Sequence, residues 1–215
     1  MTPTSLTHIV ALVPVRSLDT GKSRLGEPLD AEERADLVLG LLNKTVDQAL
    51  AATRLAGVVV VSMDENLLTR ARMMGAASLL QETNGLNAGL DEARVAAGAE
   101  ATAILVLPAD LPAVAASAID QLAEAAELAA RAAPEGPVVA LVPDRHGTGT
   151  NALLVAPPNA IPFCFGEGSR AAHAAAAQAA GATYLELDGP LTFDVDTPED
   201  LLEADRRGLD HEVGR

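Results

Sequence analysis

The chain has one cysteine, no tryptophan, one tyrosine and three phenylalanines in 215 residues. A single cysteine excludes an intrachain disulfide and fits a reducing compartment. With aromatics at 2%, the core has to be built from Val, Leu, Ile and Ala. Positive charge is scarce as well: 15 Lys and Arg stand against 30 Asp and Glu, a formal net charge of −15. That balance lacks the positive field that general nucleic-acid or anionic-membrane binding requires. No apolar run approaches the ~20 residues needed to span a bilayer. The first residues, M-T-P-T-S-L-T-H, have neither the charged nor the apolar region of a signal peptide. These absences predict a cytoplasmic protein with neither membrane nor nucleic acid as partner. The length predicts a single domain over 1–215 with room for a sizeable core.

Against this acidic background one basic stretch stands out: Val13 to Leu25, V-P-V-R-S-L-D-T-G-K-S-R-L. It follows a buried-strand pattern, Ile9 to Val15, and sets Arg16, Lys22 and Arg24 around Gly21, with Asp19 as the only carboxylate. A flexible cationic loop after a buried strand suits a nucleoside triphosphate. A solvated surface loop of the same composition is the plainer alternative.

Further along, strand-like and helix-like runs alternate. Asp30 and Glu33 form a capping pair ahead of Leu37, Val38, Leu41, Leu42, Val46 and Leu50 at helical spacing. Strands are predicted at Val58–Val61, Ala77–Leu80, Ala103–Leu107, Val138–Val142, Asn151–Val155, Thr183–Leu187 and Leu191–Val195. Helices are predicted at Glu65–Met74, up to Ala97 after Q-E-T-N-G-L-N, at about Ala115–Ala132 and Ala171–Ala180, and from Thr197-Pro198 onward. Continuous apolar strands between amphipathic helices predict an α/β domain, a mostly parallel sheet covered on both faces. The close pair Val138–Val142 and Asn151–Val155 reads as a hairpin that makes the sheet mixed.

Ligands of open α/β sheets bind outside the carboxyl ends of the strands, so the polar segments there carry the candidate chemistry. Asp110, between Pro108 and Pro112 after an apolar strand, is a fixed carboxylate suited to Mg²⁺, which takes one or two carboxylates plus phosphates. Asp194 and Asp196 are two apart, so on a strand they share a face and complete a divalent-metal site with Asp110; capping of the last helix is the alternative for Asp196. Gln81, Glu82 and Asn87 around Gly85 suit the donor edge of guanine. Arg145, His146, Thr148 and Thr150 in a Gly-rich turn could hold an anionic acceptor. F-G-E-G-S-R, Phe165 to Arg170, offers Gly166, Ser169 and a helix N-terminus as an anion pocket. His8, His173 and His211 read as structural or solvated. No Cys/His metal spacing and no serine-nucleophile elbow is present.

Five of these segments, V-P-V-R-S-L-D-T-G-K-S-R-L, L-P-A-D-L-P, D-R-H-G-T-G-T-N, F-G-E-G-S-R and F-D-V-D-T-P-E-D-L, come in the order of a known family. Together the chain resembles the 2-phospho-L-lactate or phosphoenolpyruvate guanylyltransferases of coenzyme F420 biosynthesis. The wider molybdenum-cofactor guanylyltransferases carry a G-G-x-S-x-R-M-G-type first loop that this chain lacks. The resemblance implies a Rossmann-like nucleotidyltransferase fold of the nucleotide-diphospho-sugar transferase type. It implies GTP gripped by Arg16, Lys22 and Arg24, with guanine near Glu82, Gly85 and Asn87. Mg²⁺ would sit on Asp110 and one or both of Asp194 and Asp196. The phosphorylated three-carbon acid would sit against Thr148 or Thr150, Gly166 and Ser169. Arg16, Lys22 and Asp110 would carry catalysis by positioning and charge neutralisation as the acceptor phosphate attacks the α-phosphorus of GTP. Hand-off of an unstable product to a downstream transferase and a homo-oligomeric state are further expectations. A nucleotide-sugar glycosyltransferase or a noncatalytic nucleotide-binding regulatory domain are the competing readings.

Overall fold

The computed structural model describes residues 6–17 and 29–209. Its centre is a seven-stranded sheet of β1 (Ile9–Pro14), β2 (Leu55–Ser62), β3 (Ala77–Leu80), β4 (Ala103–Val106), β5 (Val138–Pro143), β6 (Thr150–Ala156) and β7 (Thr183–Glu186). The order is β3-β2-β1-β4-β6-β5-β7. Only β6 runs against its neighbours β4 and β5; every other pairing is parallel. The expected hairpin is therefore β5–β6, and it makes an otherwise parallel sheet mixed.

Side chains on successive strand residues point to opposite faces, and on β1, β4, β5 and β6 both faces are dry. Ile9, Ala11 and Val13 pack with residues of α1 (Ala31–Ala51), α2 (Glu65–Met73) and α4 (Ala116–Ala132). Val10 and Leu12 join Leu90 and Ala93 of α3 (Leu86–Ala96) and Ala177 of α5 (Ser169–Ala179). This double burial is why the strands read as unbroken apolar runs rather than alternating ones. The scarcity of aromatics is met by alanine: Ala118, Ala123, Ala126 and Ala130 form the buried stripe of α4.

Helix starts follow local chemistry. The Asp30 carboxylate accepts from the backbone N–H groups of Glu32 and Glu33, and Glu33 accepts from the Asp30 N–H at 2.8 Å, a closed capping box. Thr197 and Asp200 build a second one at the start of α6 (Pro198–Arg206). Leu50, expected on the inner face of α1, is instead 41% exposed, because neighbouring Ala49 takes the core position.

The expected strand at Leu191–Val195 does not form. Pro190–Thr192 is a single 3₁₀ turn, and the segment after it adds no strand to the sheet. Phe193 and Val195 are held by side-chain packing instead, in a small cluster with Leu29, Leu37 and Leu41 and with Ala204 of α6. The main-chain N–H of Val195 donates to the carbonyl of Asp110 at 3.1 Å, which ties the last acidic segment to the end of β4.

Candidate active site

The sheet has its topological switch between β1 and β4: from β1 the chain steps to β2 on one side, while β4 lies on the other. Loops leaving two such strands turn in opposite directions and leave a crevice. A cleft of about 580 Å³ opens there, at the carboxyl ends of β1 and β4. Its walls include Arg16 after β1, Asp110 after β4, Thr148 to Asn151 entering β6, Phe165 to Ser169 entering α5, and Asp194 and Asp196. Because β6 is antiparallel, its first residues, Thr150 and Asn151, reach the rim where the other strands end.

Thus Arg16, Asp110, Thr148, Thr150, Gly166, Ser169, Asp194 and Asp196 share one cleft. Lys22 and Arg24 lie outside the described residues, as do Asp19 and Gly21. Glu82, Gly85 and Asn87 are not among the lining residues; Leu86 is the part of that loop that reaches the cleft. Asn87 is occupied otherwise: its amide nitrogen donates to the Phe165 carbonyl at 3.0 Å and its oxygen accepts from the Phe165 N–H at 2.8 Å. It straps the Phe165–Ser169 loop rather than offering its amide to a base. Gln81 likewise turns inward and donates to the carbonyls of Thr83 and Gly85. A Cβ on Gly89 would stand 2.3 Å from the Gln81 side-chain oxygen, so the glycine makes room for that brace. Sequence alone shows amides near a glycine, not which main-chain groups they reach.

Arg145 is no anion ligand in this arrangement. It forms an ion pair with Asp200, and its guanidinium lies 5.2 Å from the centre of the Phe193 ring. Asp200 is only 3% exposed and also accepts from the main-chain N–H groups of Asp196 and Thr197, at 2.9 and 2.7 Å. The last acidic segment is therefore set by Asp200, by Phe193 and by Val195. Its two aspartates reach the cleft although it is not a strand, because Phe193 and Val195 are buried and the residues alternating with them are not. The turn Asp144–Gly149 is held by the Asp144 carboxylate, which accepts from the Thr148 N–H at 2.8 Å. Arg170 adds a bond to the Gly147 carbonyl at 3.0 Å while paired with Glu186. Gly168, at φ +70°, turns the chain into α5 through a conformation that a side chain would strain.

The charge pattern has a consequence. Burial, and then the neighbouring Asp110 and Asp196, raise the Asp194 carboxyl above the usual range. Among the described residues, burial and the two flanking carboxylates both work against its charge. Among the described residues, no group of three or more His, Cys, Asp or Glu side chains converges as a metal cage. One or two carboxylates with phosphate oxygens complete a Mg²⁺ shell, so these residues fit that ion in the presence of a nucleotide. Arg16 forms no ion pair with another described residue.

The residue that sequence reasoning passed over is His173. It is fully buried in α5, and its ring stands edge-on to Phe165 with centroids 4.9 Å apart. Burial lowers its pKa to about 4, whereas an unfolded chain holds the proton up to about 6.5. On acidification the unfolded state therefore takes up this proton first. His173 leaves stability intact above about pH 6.5 and removes up to about 3 kcal/mol as pH falls toward 4. Asp194, with its raised pKa, works in the opposite direction. Comparing denaturation of the wild type and His173→Gln between pH 7 and pH 4 isolates the histidine: the variant is expected to lose distinctly less stability across that window.

Comparison with known proteins places the chain in a family. Residues 9–212 match the family described as "Guanylyl transferase CofC like". A phosphoenolpyruvate guanylyltransferase of Rubrobacter xylanophilus is 45% identical over 204 residues, covering 93% of this chain and 95% of that protein. One of Sphaerobacter thermophilus is 44% identical, covering 90% and 91%. Among solved structures, a nucleotidyl transferase of Methanothermobacter thermautotrophicus superposes with a TM-score of 0.66 at 17% identity, covering 93% of this chain and 97% of that one. A Desulfovibrio desulfuricans protein provisionally assigned as a nucleotide-diphospho-sugar transferase reaches 0.70 at 15% identity, covering 93% and 87%. The structural neighbours show the expected nucleotidyltransferase fold, and the sequence relatives carry the assignment further: the chain belongs to the CofC-like guanylyl transferase family.

Proposed function

We propose that this protein transfers GMP from GTP to the phosphate of phosphoenolpyruvate, releasing pyrophosphate, as a step of coenzyme F420 biosynthesis. The observation that carries the reading is the cleft that puts Arg16, Asp110, Asp194, Asp196 and the Gly166–Ser169 loop around one space at the switch point. The names of the relatives favour phosphoenolpyruvate over 2-phospho-L-lactate as acceptor.

In this reading an acceptor phosphate oxygen attacks the α-phosphorus of GTP. The new bond links that oxygen to the α-phosphorus, and the bond from the α-phosphorus to the bridging oxygen of the β-phosphate breaks. The electron pair leaves on pyrophosphate. A phosphate monoester with a second pKa near 6 is already dianionic at neutral pH, so no strong general base is needed. His173, buried and neutral, is not asked to be one. The chain's work is to hold two anions together and offset their repulsion. Arg16 meets phosphate charge, and the Thr150 and Ser169 hydroxyls, which line the same cleft, offer donors. Mg²⁺ on Asp110 with Asp194 or Asp196 would supply the charge neutralisation that the aspartates by themselves oppose. The diphosphate-linked product is activated for a further displacement, which suits direct hand-off to a downstream transferase.

The test is pyrophosphate release from the four ribonucleoside triphosphates, each with phosphoenolpyruvate or 2-phospho-L-lactate, with and without Mg²⁺. GTP, phosphoenolpyruvate and Mg²⁺ together are expected to give the fastest release. No release with any acceptor would overturn the reading, and nucleotide-sugar glycosyl transfer would yield none.

A further inference from the structure

We propose that His173 is a positioning residue that occupies one lone pair of the Thr150 hydroxyl and leaves its hydrogen free for the cleft, so that this corner favours a deprotonated oxyanion of the acceptor. The inference rests on the transferase reading above for its ligand, but its structural half stands alone.

One main-chain group beside the ring can only donate. The N–H of Cys164 points at Nε2 of His173, 2.9 Å away, so that nitrogen must carry a lone pair. A neutral imidazole then has its proton on Nδ1. Nδ1 lies 3.1 Å from Thr150 Oγ1, and the direction of that bond follows: the ring donates and the hydroxyl accepts. With the ring on one of its lone pairs, the Thr150 hydrogen is left for another acceptor. Thr150 is 8% exposed and that remaining surface belongs to a residue lining the cleft.

The surroundings keep this arrangement from reversing. The His173 ring has no solvent contact and is packed edge-on against Phe165, so it cannot easily turn over. Phe165 is itself clamped through both its main-chain polar groups by Asn87. Thr150 is the first residue of β6 and pairs with Pro143 of β5. One imidazole thus joins the start of β6 to the main chain just before the Gly166–Ser169 loop, the two walls that face the acceptor. Left free for the cleft, that hydrogen finds its strongest acceptor in a carboxylate or ionised phosphate oxygen.

Two measurements decide it. Nitrogen-15 NMR of histidine-labelled full-length protein at neutral pH should show the His173 proton on Nδ1; a proton on Nε2 would overturn the proposal whatever the enzyme's substrate. Steady-state kinetics supply the functional half. His173→Gln and Thr150→Val should each raise the KM for phosphoenolpyruvate about 10-fold, the scale of one hydrogen bond to a charged group. The KM for GTP should stay put. The double variant should be no worse than Thr150→Val alone, since both remove the same bond. Additive losses, or equal rises in both KM values, would mean that His173 only supports the fold. Should His173→Gln fail to fold, Thr150→Ser against Thr150→Val still reads the donor: serine should keep the wild-type KM, and equal loss in both overturns the proposal. A wild type silent with GTP and phosphoenolpyruvate sinks the transferase reading alone, leaving the tautomer measurement to judge this one.

Discussion

Asp194→Asn is expected to melt at a higher temperature than the wild type while losing most of its turnover. Burial, and then Asp110 and Asp196, push the Asp194 carboxyl up, so its charge is less favourable in the folded chain than in the unfolded one. The sign follows: this group lowers stability above its folded pKa, and the strain eases as pH falls through that value. An amide of the same shape removes the charge and keeps an oxygen for the Asn151 side-chain N–H, now 3.4 Å away. Each kcal/mol recovered raises Tm by about 2–4 °C in a chain of this size. The same repulsion is what a cation entering with the nucleotide would relieve, so kcat/KM should fall by about 10²–10³. Asp110→Asn should likewise lose most turnover with the fold intact. Calorimetry and the pyrophosphate assay on one preparation check both halves. A variant that is neither more stable nor less active would remove the cluster from the mechanism.

Asp200→Ala is expected to do the reverse, costing stability first and activity through it. The carboxylate holds Arg145 and the main-chain N–H groups of Asp196 and Thr197, in a position almost without solvent. Breaking a buried pair by removing one partner costs about 3–5 kcal/mol. Arg145 retains 28% of its side-chain exposure and can turn partly to water, which argues for the lower end, about 3 kcal/mol. That corresponds to a Tm lower by about 6–12 °C. Below the new Tm, activity should still be reduced, because the backbone of Asp196 loses its anchor. Asp200→Asn keeps one acceptor oxygen and should fall between the two. Thermal melts of the three proteins test the ordering; an unchanged Tm for Asp200→Ala would show that the contact carries no net stability.

Much of this architecture could be read directly from residue patterns. Strands buried on both faces have no choice but to be apolar throughout, so Ile9–Pro14, Ala103–Val106 and Val138–Pro143 announce themselves. Capping is equally local: Asp30 with Glu33, and Thr197 ahead of Pro198, mark helix starts through contacts that span three residues. The switch-point rule then picks the rim where Arg16, Asp110, Thr148, Thr150, Gly166, Ser169, Asp194 and Asp196 gather, and the ordered motifs point to the family before any coordinate is known.

Partnership across distance was decided only by the tertiary structure. Phe193 and Val195 alternate as a strand would, yet their place is taken by docking on α1, and periodicity does not distinguish a sheet neighbour from a helix neighbour. Arg145 looks like a free cation until Asp200, 55 residues on, is brought against it. Asn87 looks like a base-reading amide until Phe165, 78 residues away, takes both its polar atoms. His173 in a run of alanines shows nothing of its role, because that role is a choice between two ring nitrogens. Only the Cys164 N–H and the Thr150 hydroxyl, converging from separate walls, make that choice.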